Sequence, residues 1–106
     1  MIWHVDISKV AEQDIEGIYQ HIAISLGEPT IAWKQVERIR AKIDKLSYMP
    51  ERNQIIQDEP WMSRDAHRVN IDNYIAIYVL DKKSSTVTVF RVLYAKRDLT
   101  DVSLLD

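Results

Sequence analysis

Hydrophobic positions along the chain repeat first with a helical period and then with a period of two. Ile7, Val10, Ala11, Ile15, Ile18, Tyr19, Ile22 and Leu26 recur at three-and-four spacing, and Ala32, Val36, Ile39, Ile43 and Leu46 repeat the pattern. Two amphipathic helices are predicted. Ser8 stands at the N-cap of the first, with Glu12, Asp14 and Glu16 early in it, where the helix dipole favours acids. Gly27 stops that helix, Pro29 falls near the first turn of the second, and Pro50 ends the second. So short a connection makes the helices antiparallel neighbours with one shared apolar seam.

From Ala66 the period is two. Val69 and Ile71 alternate with Arg68 and Asn70, Asp72-Asn73 suits a two-residue turn, and Tyr74 to Leu80 forms the next strand. A second turn at 81–85 leads into a last strand from Thr86 to Tyr94. Ile2, Trp3 and Val5 predict a short first strand. Residues 51–63 lack a clean period; such a segment is either functional or pinned, and Ile55, Ile56, Trp61 and Met62 are its obvious anchors. The expected fold is α+β, a single domain over residues 1–106: an N-terminal antiparallel helical hairpin on a small, mainly antiparallel sheet of three to four strands. The hairpin covers one face and leaves the other partly open.

Composition narrows the function classes. A hydrophobic share of 46% with 28% charged residues excludes disorder. No run approaches the roughly 18 apolar residues of a membrane span, and Asp6 interrupts any signal peptide, so cytoplasmic residence without a membrane partner is expected. Without cysteine there is no disulfide, thiol nucleophile or thiolate metal site. His4, His21 and His67 are too scattered for a metal motif, the only glycines (Gly17 and Gly27) make no phosphate loop, and no serine sits at a nucleophile elbow. No cofactor is expected. The net charge of -2 conceals an asymmetry: residues 64–97 carry seven Lys/Arg against three Asp/Glu. A basic carboxyl-terminal half on an acidic protein suits a locally read anionic partner.

The chemistry-bearing residues gather in that half: Arg64, His67, Arg68, Tyr74, Tyr78, Arg91, Tyr94, Lys96 and Arg97. Guanidinium groups fork onto phosphates, and a tyrosine or histidine among them can serve as general acid or base. Tyr74 and Tyr78, four apart on one strand, read as half-buried sheet aromatics. Arg91 in mid-strand must find a partner, with Asp72 or Asp98 as candidates. Lys96 and Arg97 lie beyond the strand end, exposed and available for binding.

Arg64-x-x-x-Arg68 before a strand, Asn73-Tyr74-x-x-x-Tyr78, and the closing Arg91-Val-Leu-Tyr-Ala-Lys-Arg-Asp-Leu99 follow a helical hairpin and a proline. This order resembles the RelE/ParE superfamily of type II toxin–antitoxin toxins over essentially the whole chain. The resemblance implies a small toxin, neutralised by a cognate antitoxin in a hetero-oligomer. RelE-like members cleave mRNA on the ribosome without metal, and Arg64, His67, Arg68, Arg91, Tyr94 and Arg97 would then be catalytic candidates. ParE-like members inhibit DNA gyrase, and Arg64, Arg68, Arg91, Lys96 and Arg97 would then contact the target. A third alternative is an inactive antitoxin-binding module. Ile75 stands where many RelE-like nucleases have arginine, no tyrosine or histidine follows Asp98, and the sequence pI is near 5.9. Tyr94 stands where the ParE-like version typically has histidine, yet the Arg-Val-Leu-Tyr ending is closer to that version, and ParE-like is favoured.

Overall fold

Ser8 starts the first helix as its side chain allows. Its Oγ accepts from the Ala11 N–H at 3.0 Å and donates to the Phe90 carbonyl at 3.0 Å, so one hydroxyl caps the helix and ties it to the last strand. The computed structural model describes residues 2–99. In chain order these form β1 (His4–Ile7), α1 (Lys9–Gln20), α2 (Pro29–Asp44), β2 (His67–Ile71), β3 (Tyr74–Asp81) and β4 (Thr86–Tyr94). Past α1 the helix widens over His21–Ser25, and the Leu26 N–H donates to the His21 carbonyl at 3.1 Å, five residues back. The extra residue in that turn rotates Leu26 off the seam predicted for it, and its side chain is exposed. Gly27 then turns the chain with φ of 67°, a left-handed conformation cheap only for glycine, and Pro29 opens α2.

The sheet order is β1-β4-β3-β2, with β1 parallel to β4 and the other pairs antiparallel. The first strand therefore joins the last one. Ile15, Ile39 and Ile43 from the hairpin pack on Val69, Ile71, Ala76, Tyr78, Val87, Val89 and Val92. That inward set breaks the period of two because β4 bulges. Ile77 pairs with Arg91 and Tyr78 with Val89, which leaves Phe90 as the extra residue. The predicted α+β hairpin-on-sheet architecture is borne out.

The second sheet face differs from the expectation of partial openness. Ile56, Trp61, Ala66 and Leu99 cover Ile75, Ile77 and Leu93 as a second buried cluster. The segment without periodicity is therefore a plug, whose apolar residues are anchors and follow no helix or strand repeat. The Trp61 indole N–H donates to the Leu99 carbonyl at 3.1 Å, while Ile56 N–H and Arg68 N–H donate to the carbonyls of Ala66 and Gln54. Among the described residues no helix is long and apolar enough to cross a membrane.

Candidate functional site

The strand register sorts the predicted residues into separate places. Tyr74 and Tyr94 are cross-strand partners at one end of the sheet, with rings 6.1 Å apart and nearly perpendicular. Ala95 N–H donates to the Asn73 carbonyl, so Lys96 and Arg97 follow at that same end, both exposed. Burial and the neighbouring Tyr94 raise the Tyr74 phenol above its ordinary value. His67 sits on β2 opposite Tyr78, four residues along β3 from Tyr74. That offset places it about 14 Å along the strands and about 10 Å across them from Tyr94.

Arg68 and Arg91 stand in one cross-strand row, on either side of Ile77. Arg91 is held against α1. Its Nε and Nη2 donate to the Asp14 carboxylate at 2.8 and 3.0 Å, and the Val92 N–H donates to the same group at 3.0 Å. Pairing with β1 ends at Val89, so Asp14 supplies the acceptor that a longer β1 would have given Val92. An α1 acid is thus a partner of Arg91 that the sequence did not offer, whereas Asp72, one of the two candidates named for it from sequence, accepts from Arg38 Nε at 2.7 Å and Gln35 Nε2 at 3.0 Å. Those two bonds hold the Asp72 carboxyl below its ordinary range.

Of the predicted residues, Arg64 and His67 share a cleft. It has a volume of about 510 Å³, and Glu51, Asp65 and Lys82 also line it. A second hollow of about 520 Å³, between Trp3 and Met49, shares its Glu51 and Lys82 walls. Sequence reasoning did not reach Glu51 and Lys82; only the fold brings them beside β2. The His67 ring stacks on Tyr78 at 5.4 Å, and its Nδ1 is buried without a hydrogen-bond partner. Tyr78 donates to the Pro50 carbonyl at 2.6 Å and accepts from Asn53 at 2.9 Å, and burial pushes its phenol up to about 12. Tyr78 is therefore an anchor for the plug. Among the described residues no three His, Cys, Asp or Glu side chains gather as a metal site.

Burial pushes the His67 imidazole below its ordinary 6.5, so at neutral pH it is uncharged and able to accept a proton. A depressed pKa means the folded state binds that proton less tightly than the unfolded chain. The stability tied to His67 is therefore complete above 6.5 and declines as the pH falls through the lower folded value. His67→Phe keeps the stacked ring and removes the proton site. Thermal melts between about pH 7 and about pH 5 should fall less steeply for the variant than for the wild type, and parallel curves would refute this.

The helical hairpin on a β1-β4-β3-β2 sheet is the architecture of the RelE- and ParE-type toxins. The toxin fold of "Chromosomal ParDE TA system from P. aeruginosa" superposes with a TM-score of 0.73 at 16% identity, covering 90% of this chain and 98% of that one. The toxin–antitoxin complex RelBE2 from Mycobacterium tuberculosis gives 0.60 at 20% identity, covering 89% and 99%. The archaeal RelE–RelB complex from Pyrococcus horikoshii OT3 gives 0.61 at 19%, covering 92% and 100%. No curated protein sequence matches significantly. The family model described as "ParE toxin of type II toxin-antitoxin system, parDE" matches residues 5–99. The chain belongs to the ParE toxin family.

Proposed function

We propose that this toxin inhibits DNA gyrase by binding it, with no reaction of its own. One observation carries the reading beyond the family match. Metal-free phosphodiester cleavage needs a base, an acid and cations around one scissile bond, whereas Tyr94 and Arg97 stand at one end of the sheet, Arg64 and His67 share a cleft elsewhere, and Arg91 is engaged by Asp14. Exposed Lys96 and Arg97, beside Tyr94, are the proposed target contacts, with Arg64 and Arg68 in reserve. The purified toxin should block gyrase supercoiling while leaving mRNA intact in a translation assay, and Lys96→Glu/Arg97→Glu should weaken the block by about tenfold or more. Unaffected gyrase beside codon-phased mRNA cuts would overturn the proposal in favour of the RelE-like reading, for which the neutral His67 beside Arg64 is the supporting feature.

The proposed partner in the resting cell is a cognate antitoxin in a cytoplasmic hetero-oligomer. Ile24, Leu26, Ile31 and Trp33, all more than half exposed around the hairpin tip, form the surface such a protein would cover.

A further inference from the structure

We propose that the outer face of α2 carries a second target-binding site, a cation row that grips the phosphodiester backbone of the duplex DNA on which gyrase acts. Lys34, Arg38, Lys42 and Lys45 follow one another at helical spacing of four, four and three, and all are exposed. They form a strip about 16 Å long, the axial rise of about five base pairs of a duplex. Arg52, in the turn after α2, continues the strip: Lys45 and Arg52 line one hollow of about 390 Å³ with Lys42, Tyr48, Asn53 and Asn70. A neighbouring hollow of about 260 Å³ shares Lys42, Lys45 and Asn70 and adds Arg38.

Asp72 answers Arg38, but among the described residues no ion pair forms at Lys34, Lys42, Lys45 or Arg52. Asp72 is the acid lining the second of these hollows, and Asp44 lines a third, of about 360 Å³, with Lys45 and Arg52. Like charges four apart destabilise a helix slightly, so the row has no internal benefit to explain it. On a chain with a net charge of -2, the strip is a local positive field suited to a polyanion. The amide side chains of Asn53 and Asn70 add neutral donors, and exposed Tyr48 adds an aromatic face.

An acidic peptide adding a strand to β2 is the other way to use this groove, and the edge is too short for it. Gln54 and Ile56 already bond along Ala66–Arg68, which leaves Asn70 as the outward-facing residue of β2 beyond them. A phosphate backbone needs no such edge.

The choice of DNA rests on the gyrase reading; the cation row does not. Binding is therefore measured without gyrase, by fluorescence anisotropy on a DNA duplex and an RNA duplex of about 20 base pairs in about 50 mM salt, then at rising salt. Wild-type toxin should bind the DNA duplex. Lys42→Gln/Lys45→Gln should lose about tenfold in affinity and flatten the dependence of log affinity on log salt by about two units, whereas Lys9→Gln/Lys83→Gln, with the same net charge change, should not. Absence of wild-type binding, equal behaviour of the two variants, or displacement of the duplex by a poly-glutamate peptide of equal charge would overturn the proposal. Binding to the RNA duplex alone would overturn it too, in favour of a ribosomal target. None of these results alters supercoiling inhibition, which tests the gyrase reading separately.

Discussion

Trp61→Ala should cost about 3–5 kcal/mol of folding stability, the range for a large aromatic removed from a packed interior. Trp61 has no exposed surface and lies within the cluster of Ile56, Ala66, Ile75, Ile77, Leu93 and Leu99. Truncation would open a cavity between the plug and the sheet and leave the buried Leu99 carbonyl without its 3.1 Å donor. A domain of this size is stable by only about 5–15 kcal/mol, so the loss is a large share of the total. Trp61→Phe separates the two contributions: it keeps most of the packing and forfeits the hydrogen bond, for about 1 kcal/mol. Urea denaturation of the three proteins gives these differences. A cost below about 1 kcal/mol for Trp61→Ala would mean that the second sheet face is not a core at all.

That second core is where sequence and structure part. Helices and strands announce themselves because a repeating backbone imposes a period on the side chains it buries. Ile15, Ile39 and Ile43, and Val69 and Ile71, could therefore be placed inward from spacing alone, and they are buried. The 51–66 segment buries Ile56 and Trp61 with no repeating backbone, so no period marks which residues point inward. Its anchors could be named from their apolar character, but the surface they seal could not.

The bulge at Phe90 has a similar effect on the site. Strict alternation along β4 puts Val87, Val89 and Arg91 on one face, which makes Arg91 a charge in the core and a residue in search of a function. One extra residue moves Val92 onto the hairpin face and Arg91 off it. The α2 cations show the complementary limit. Their outward placement follows from helical spacing, since Ala32, Ile39 and Ile43 take the buried side. Their alignment with Arg52 and Asn70 depends on β2 forming the sheet edge next to α2, a pairing set by contacts far apart in the chain.

Asp14→Ala should destabilise the fold by about 2–4 kcal/mol, because it breaks a largely buried ion pair and removes a backbone acceptor at once. The two side chains retain only 13% and 15% of their exposure, and Asp14 also satisfies the Val92 N–H at the otherwise open edge of β4. Loss of the carboxylate would take two acceptor contacts from the guanidinium and one from the Val92 N–H. Asp14→Asn keeps one acceptor oxygen and should cost less, whereas Arg91→Leu alone leaves the carboxylate with the Val92 bond. The double variant Asp14→Ala/Arg91→Leu should be more stable than the sum of the single losses predicts, since each single change already breaks the same pair. The same cycle decides whether Arg91 also meets the target. If it serves only the fold, gyrase inhibition per folded molecule stays unchanged across all four variants once each is assayed well below its melting temperature. A selective loss of inhibition in the folded Arg91→Leu protein would return Arg91 to the target-binding surface.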